Sequence, residues 1–260
     1  MASPRYPAAM ASPDPDGLAG LSAADKANLL GLIEEAQRRR QRRRFFDFYP
    51  DEGPLRRALY PRHMDFFAAG ARYRERCFLA ANRTGKTEGG GGYETTCHLT
   101  GLYPSWWTGR RFDAPIYAWM AGKYSETARD ILQAKMLGAV RHEGSSRIVD
   151  GTGLVPGDLL GRATWKQGVP DMVDSIPVRH VSGGWSHLGI KSYQQGRGSF
   201  EGTEQHVIWL DEEPPMDIYG ECLIRTGTTK GLIMLTFTPL SGISEVVRQF
   251  LPGGTVGDLG

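Results

Sequence analysis

Cysteine is scarce in this chain. Cys77, Cys97 and Cys222 are the only three in 260 residues, too few and too scattered for a disulfide framework or a zinc site. A reducing cytoplasm is the compartment they suit. Long apolar runs are missing as well: no stretch approaches the roughly 18 residues that a bilayer span requires. Residues 1–20 are rich in Pro, Ala and Gly and hold no apolar core of the kind a secretory leader has. An excess of one charge is also lacking, since 31 Lys and Arg stand against 29 Asp and Glu, a net of +2. The chain as a whole is therefore not a polycation. No internal repeat is present, and 34 glycines with 16 prolines imply many loops without a collagen-like period. A hydrophobic content of 40% suffices for one large core or two modest ones.

What the chain does contain is the octet Ala80-Ala81-Asn82-Arg83-Thr84-Gly85-Lys86-Thr87, after the apolar run Cys77-Phe78-Leu79. Apart from Ala80, where the full pattern has glycine, it reads as a phosphate-binding loop. Such a loop wraps backbone N–H groups around a triphosphate, and the helix that follows points its positive end at the same anion. Lys86 would reach the β- and γ-phosphates and the Thr87 hydroxyl would bind Mg²⁺. The bland reading is an exposed turn without a ligand.

A second segment, His206-Val207-Ile208-Trp209-Leu210, is continuously apolar and ends in Asp211-Glu212-Glu213. That pattern suits a strand buried on both faces of a parallel sheet, with acids at the carboxyl end where open α/β sheets bind ligands. Asp211 would hold the metal and Glu212 would act as general base toward water. Alternatively, the acids solvate a strand end or cap the helix after Pro214-Pro215. The run Gly231 to Thr238 reads as another buried strand. Thr236 and Thr238 at its end could sense the γ-phosphate and pass the difference to a neighbouring segment, or could be ordinary β-branched strand residues.

Strands at about 76–80, 114–120, 187–193, 206–210 and 231–238 alternate with helices at about 61–70, 86–99, 125–140 and 216–224, with another after Gly242. This alternation predicts a parallel sheet covered on both faces. The glycines at 89–92 weaken their helix by about 1 kcal/mol each against alanine and suggest either close packing on the sheet or a helix secured mainly by tertiary contact or ligand. Residues 144–185 read as an elaborated loop or small β insertion. Residues 1–20 read as disordered and 22–44 as one basic helix, ending in the run Arg38-Arg39-Arg40-Gln41-Arg42-Arg43-Arg44. The run is either a contact to DNA phosphates or an acidic partner, or a solvated helix end.

These motifs, in this order, resemble the ATPase domain of large terminase subunits of tailed bacteriophages, over about Tyr60 to Phe250. The most specific part runs from Tyr60-Pro61-Arg62-His63-Met64-Asp65-Phe66-Phe67 into Asn82-Arg83-Thr84-Gly85-Lys86-Thr87, matched downstream by Trp209-Leu210-Asp211-Glu212-Glu213-Pro214. The resemblance implies a P-loop NTPase of the additional-strand, catalytic-glutamate (ASCE) type, with a mostly parallel central sheet flanked by helices. It implies a helical N-terminal extension over 1–58 and the ATPase domain over 59–260. It also implies ATP and Mg²⁺ at a site made of Ala81, Asn82, Arg83, Thr84, Gly85, Lys86 and Thr87. Asp211 and Thr87 would hold the metal and Glu212 would serve as base. Arg83 would stabilise the transition state, Thr236 and Thr238 would couple hydrolysis to motion, and Tyr60 and His63 would lie in the adenine-reading segment. Ring motors of this type borrow an arginine in trans, for which Arg197, Arg129 and Arg225 are candidates.

The function implied is an ATP-hydrolysing motor that drives double-stranded DNA through the portal into a procapsid in the host cytoplasm. The portal protein and small terminase subunit would be its partners, with no membrane involved. A homo-oligomeric ring, a pentamer, is implied when docked, and a monomer is compatible with free solution. A C-terminal nuclease domain is expected to be absent from these 260 residues. Other readings are a helicase-like or other DNA-dependent ATPase, and a non-hydrolysing module that docks on the portal or small subunit.

Overall fold

The computed structural model describes residues 22–81, 83–239 and 244–251. Asn82, the expected disordered start at 1–20 and Gly242 lie outside them. The chain divides into two compact units between Gln41 and Arg42. The first holds helix α1 (Ala23–Gln41), where Arg38 and Arg39 pair with Glu35 one turn back. Ser22 opens the helix by accepting the Asp25 N–H on its hydroxyl, as an N-cap side chain does.

The second unit takes in residues 42–58, which the sequence reading grouped with the extension. The cause is aromatic packing: Phe45 stacks on Tyr93 at 4.7 Å and Tyr49 meets the same ring edge-on at 4.9 Å. The arginine run divides accordingly. Arg42 donates to the Gly157 carbonyl (2.7 Å) and Arg44 pairs with Glu88 (2.5 Å).

Helix α2 (Pro61–Ala69) leads into β1 (Glu75–Leu79) and the glycine-lysine-threonine loop. A π-wound turn, Lys86–Gly92, follows and continues as α3 (Tyr93–Thr100). After β2 (Tyr117–Gly122) comes α4, over 125–137, whose middle (Ala128–Gln133) is again π-wound. The segment read as an insertion forms a hairpin, β3 (Val140–Glu143) with β4 (Ser146–Val149), and then β5 (Thr164–Trp165) and β6 (Val173–Arg179). Next are β7 (Trp185–Ser192), β8 (Val207–Asp211), α5 (Met216–Gly227), β9 (Leu232–Phe237) and α6 (Glu245–Phe250).

The sheet order is β1-β9-β8-β2-β7-β6-β5. Its first five strands are parallel, and β6 and β5 add antiparallel edges. The fold is thus α/β with a mostly parallel sheet, and β9 is the additional strand between the loop strand and the acid strand. Side chains alternate between its two faces. Val207, Trp209 and Met234 join the core under α3, while Ile208, Leu210, Ile233 and Leu235 join Ile218 and Cys222 of α5. Burial on both faces is why these strands read as unbroken apolar runs.

Beneath the loop, Arg76 of β1 forms two hydrogen bonds to Glu94 of α3, at 2.7 and 3.0 Å, in the interior. Burial pushes the Glu94 carboxyl up, but Arg76 and His98 outweigh it and hold the acid below its usual range. This ion pair fixes the helix after the loop to the strand before it.

Candidate functional site

Parallel pairing aligns the carboxyl ends of the strands on one rim. Leu79 is level with Phe237, Asp211 with Thr236 and Leu210 with Ala121. The loop after β1, the acids after β8 and the hydroxyls of β9 therefore meet, at the edge where α/β sheets take ligands. A cavity of about 900 Å³ opens there, with Lys86, Thr87, Asp211, Glu212, Thr236 and Thr238 in its wall.

In the loop, Arg83 and Gly85 have φ values of 65° and 82°. Glycine takes that left-handed geometry freely, whereas a side chain there is strained. Lys86 Nζ donates to the Ala81 carbonyl (3.2 Å), and the Thr84 hydroxyl donates to the same oxygen (3.0 Å). Lys86 is buried although cationic, a state that calls for an anionic partner. Ala81, Arg83 and Thr84 are exposed, and the cavity wall is formed without Arg83.

Asp211 is 9% exposed. The Thr236 hydroxyl donates to its Oδ1 (2.7 Å) and accepts the Trp209 indole N–H (2.7 Å). Thr87 lines the same cavity and helps to hold the Asp211 carboxyl down. Burial pushes that carboxyl up to about 6, against the pull of the two threonines and Lys86, while Glu212 adds to the rise. Glu212 is exposed to the cavity with φ 64°, and its N–H bonds the Thr236 carbonyl at 3.1 Å. The Thr238 hydroxyl donates to the Ala80 carbonyl (2.8 Å), tying the end of β9 to the start of the loop.

A smaller recess of about 330 Å³ adjoins the loop, walled by Phe48, Tyr49, Tyr60, His63 and Gly85 among others. His63 touches the loop directly: its Nε2 lies 3.2 Å from the Thr84 carbonyl, and its Nδ1 lies 2.5 Å from the Tyr49 hydroxyl. The same hydroxyl donates to the Gly89 carbonyl at 2.7 Å. Burial holds the His63 imidazole below its ordinary range, opposed by the Thr84 contact.

Among the described residues, no group of three or more His, Cys, Asp or Glu could hold a metal alone. The donors that do converge on the cavity are the Asp211 carboxylate and the Thr87 hydroxyl, both hard oxygens. That set fits Mg²⁺, which takes one or two protein oxygens and completes its shell with water and phosphate.

The three arginines considered as trans-acting groups are engaged within the chain. Arg197 Nη2 and Arg225 Nε each lie 3.0 Å from the buried Glu221. Arg129 pairs with Asp130 (2.7 Å), and none of the three lines the cavity. The sequence reading missed Lys123, Tyr124, Thr127, Tyr193 and Gln194 in the cavity wall. They follow β2 and β7, so the rule that ligands bind at carboxyl ends of strands points to them once strand order is known. Tyr49 was missed too, since no motif marks it. Among the described residues, no helix is long and apolar enough to cross a membrane.

The family described as terminase large subunit, T4likevirus-type, N-terminal, matches residues 77–255. The large terminase subunit of Salmonella phage P22 is 35% identical over 253 residues, covering 90% of this chain and 48% of that protein. The chain thus spans about half the length of that curated relative. Among solved structures, an ATPase-domain mutant of the Thermus phage P74-26 large terminase aligns with a TM-score of 0.46 at 14% identity, over 68% of this chain and 63% of that one. The large terminase of a thermophilic bacteriophage, in complex with ADP, aligns with a TM-score of 0.42 at 12% identity, over 67% of this chain and 38% of that one.

Proposed function

The chain belongs to the terminase large-subunit family, and from that premise we propose that it is the ATP-hydrolysing motor of viral genome packaging, moving double-stranded DNA through a portal into a procapsid. One observation carries the hydrolase reading: Thr87 and Asp211, far apart in the sequence, line one cavity together with Lys86 and Glu212.

The roles follow from position. The loop N–H groups and Lys86 bind the phosphates, and Lys86 exchanges the Ala81 carbonyl for a phosphate oxygen. Thr87 and Asp211 would hold Mg²⁺, which supplies charge neutralisation on the phosphates. Glu212, next to Asp211 in the cavity wall, orients the attacking water and takes its proton. The recess beside the loop, with Tyr60 and His63 in its wall, takes the adenine. Thr236 is bonded to the metal acid and Thr238 to the loop's first residue, so a change at the phosphates reaches β9 through both.

The proposal includes double-stranded DNA, the portal and a small terminase subunit as partners. It also includes a ring when docked, and the host cytoplasm as the place of action. DNA contact of this kind is made to phosphates and is indifferent to sequence.

The test is phosphate release with ATP and Mg²⁺, with and without double-stranded DNA, for this chain beside Glu212→Ala. Loss of turnover by at least about 100-fold with ATP still bound is the expected result. Unchanged turnover in the variant would remove Glu212 from the mechanism. Failure of the parent chain to bind ATP would sink the reading.

A further inference from the structure

Tyr193 stands at the end of β7, buried among Trp119, Phe200, Ile208 and Cys222. Its hydroxyl does not stay in that core. It lies 2.9 Å from the Asp211 carbonyl and 3.0 Å from the Glu212 carbonyl. One phenolic proton is thus shared between the backbone oxygens of the two residues whose side chains the proposed reaction uses. Burial, with Asp211 beside it, keeps that phenol protonated and a donor.

The backbone at this point needs holding. β8 ends at Asp211, and Glu212 turns left-handed at φ 64°. For a residue with a Cβ this is an unfavourable conformation, which persists only where the surroundings over-determine it. On one side β9 supplies its share: Asp211 pairs with Thr236, and the Glu212 N–H bonds the Thr236 carbonyl. On the other side the pairing with β2 stops at Leu210. The Tyr193 hydroxyl takes over where that pairing ends.

The segment carrying Tyr193 is itself clipped in place. The Gln194 N–H bonds the Lys123 carbonyl (3.1 Å), and the Gln194 side chain accepts the Ser125 N–H (3.4 Å). Arg197 donates twice to Glu221 of α5, at 3.0 and 3.1 Å. The acids are thus framed by their own strand, by the helix after them and by this segment.

We propose that Tyr193 is a positioning residue for hydrolysis: its hydroxyl fixes the backbone of Asp211 and Glu212 and so sets where the Glu212 carboxylate stands. The inference rests on the hydrolase reading above. A hydroxyl that only satisfied itself in a core would need one carbonyl of any residue; this one spans the strained turn. Without it the Glu212 backbone is free to relax, and displacement of a catalytic group by about 1 Å costs up to about 100-fold in rate.

The test is Tyr193→Phe in the full chain, which keeps the ring and its packing. The expected result is a fall in kcat of roughly 10- to 100-fold, with KM for ATP and affinity for ADP held within about twofold. Affinity for ADP with aluminium fluoride, a mimic of the transferring phosphoryl group, falls with kcat and decides the matter where turnover is slow. Tyr219→Phe is the control: it removes another tyrosine hydroxyl, bonded to Glu75 at the start of β1, the end of that strand away from the loop, and leaves all four quantities as they were. A Tyr193→Phe protein that matches the parent in kcat and analogue affinity overturns the proposal, as does one altered in melting temperature alone. If instead the parent binds no ATP, or Glu212→Ala turns over at the parent's rate, the hydrolase reading fails and takes this proposal with it.

Discussion

Asp211 is an acid that holds its proton longer than an exposed carboxylate would. Burial raises its carboxyl from an ordinary 3.8 to about 6, so between those values the folded chain binds more protons than the unfolded one. Stability of the nucleotide-free protein therefore falls as pH rises through about 4 to 6 and levels off above. Asp211→Asn removes the titration while leaving an oxygen for the Thr236 hydroxyl. Its melting temperature should be flatter across that window and higher at pH 7, by the equivalent of roughly 1–3 kcal/mol, while turnover is lost. Thermal melting of both proteins from pH 4.5 to 8 with chelator present checks this, and parallel curves would refute it. The same proton competes with the metal, so Mg²⁺-dependent ATP affinity should weaken as pH drops through about 6. A site residue here is less stable than its neutral replacement because it is kept ready for a cation.

The element that bears most on the site is the π-wound turn after the loop. Its glycines let three neighbours close in. A Cβ at Gly91 would collide with the Trp209 indole, one at Gly90 would meet Phe78 at 3.2 Å, and one at Gly89 would meet the Tyr49 hydroxyl at 2.6 Å. Gly91 is the consequential one, because the same indole donates to Thr236 and Thr236 donates to Asp211. Gly91→Ala should cost roughly 1–3 kcal/mol by overpacking and should lower turnover further than Gly90→Ala does. Melting and phosphate release for the two variants settle it; equal losses of turnover would break the proposed link from Gly91 to the metal acid. The close packing of residues 89–92 was legible in the sequence, as were the strands of the parallel core, because a strand buried on both faces leaves an unbroken apolar run. The π winding was not legible, since its period is set by what the turn packs against. Tyr193 and Lys123 were not legible either: their place in the site depends on strand order, and neighbours in the sheet are far apart in the chain. Residues 42–58 gave no periodic signal because Phe45 and Tyr49 are held by individual aromatic contacts.

At the scale of the whole molecule, the division between Gln41 and Arg42 separates charge from chemistry. Every described residue of the proposed site lies in the second unit, together with both hydrophobic cores. The arginine run straddles the divide. Arg42 and Arg44 are spent on Gly157 and Glu88 within the second unit, while Arg38, Arg39 and Arg40 sit exposed on α1. A chain beginning at Arg42 should therefore keep its ATP affinity and its melting temperature. If α1 contacts DNA phosphates, the loss should appear in the salt dependence. Three phosphate contacts correspond to a change of about 2.7 in the slope of log affinity against log salt for double-stranded DNA. Fluorescence anisotropy with a labelled duplex, measured for both chains at several salt concentrations, reads that slope. A smaller slope with unchanged ATP turnover would make α1 an electrostatic grip on the track, separable from the motor. An unchanged slope would move the DNA contact to the second unit, where the arginines and lysines must then serve both the fold and the duplex.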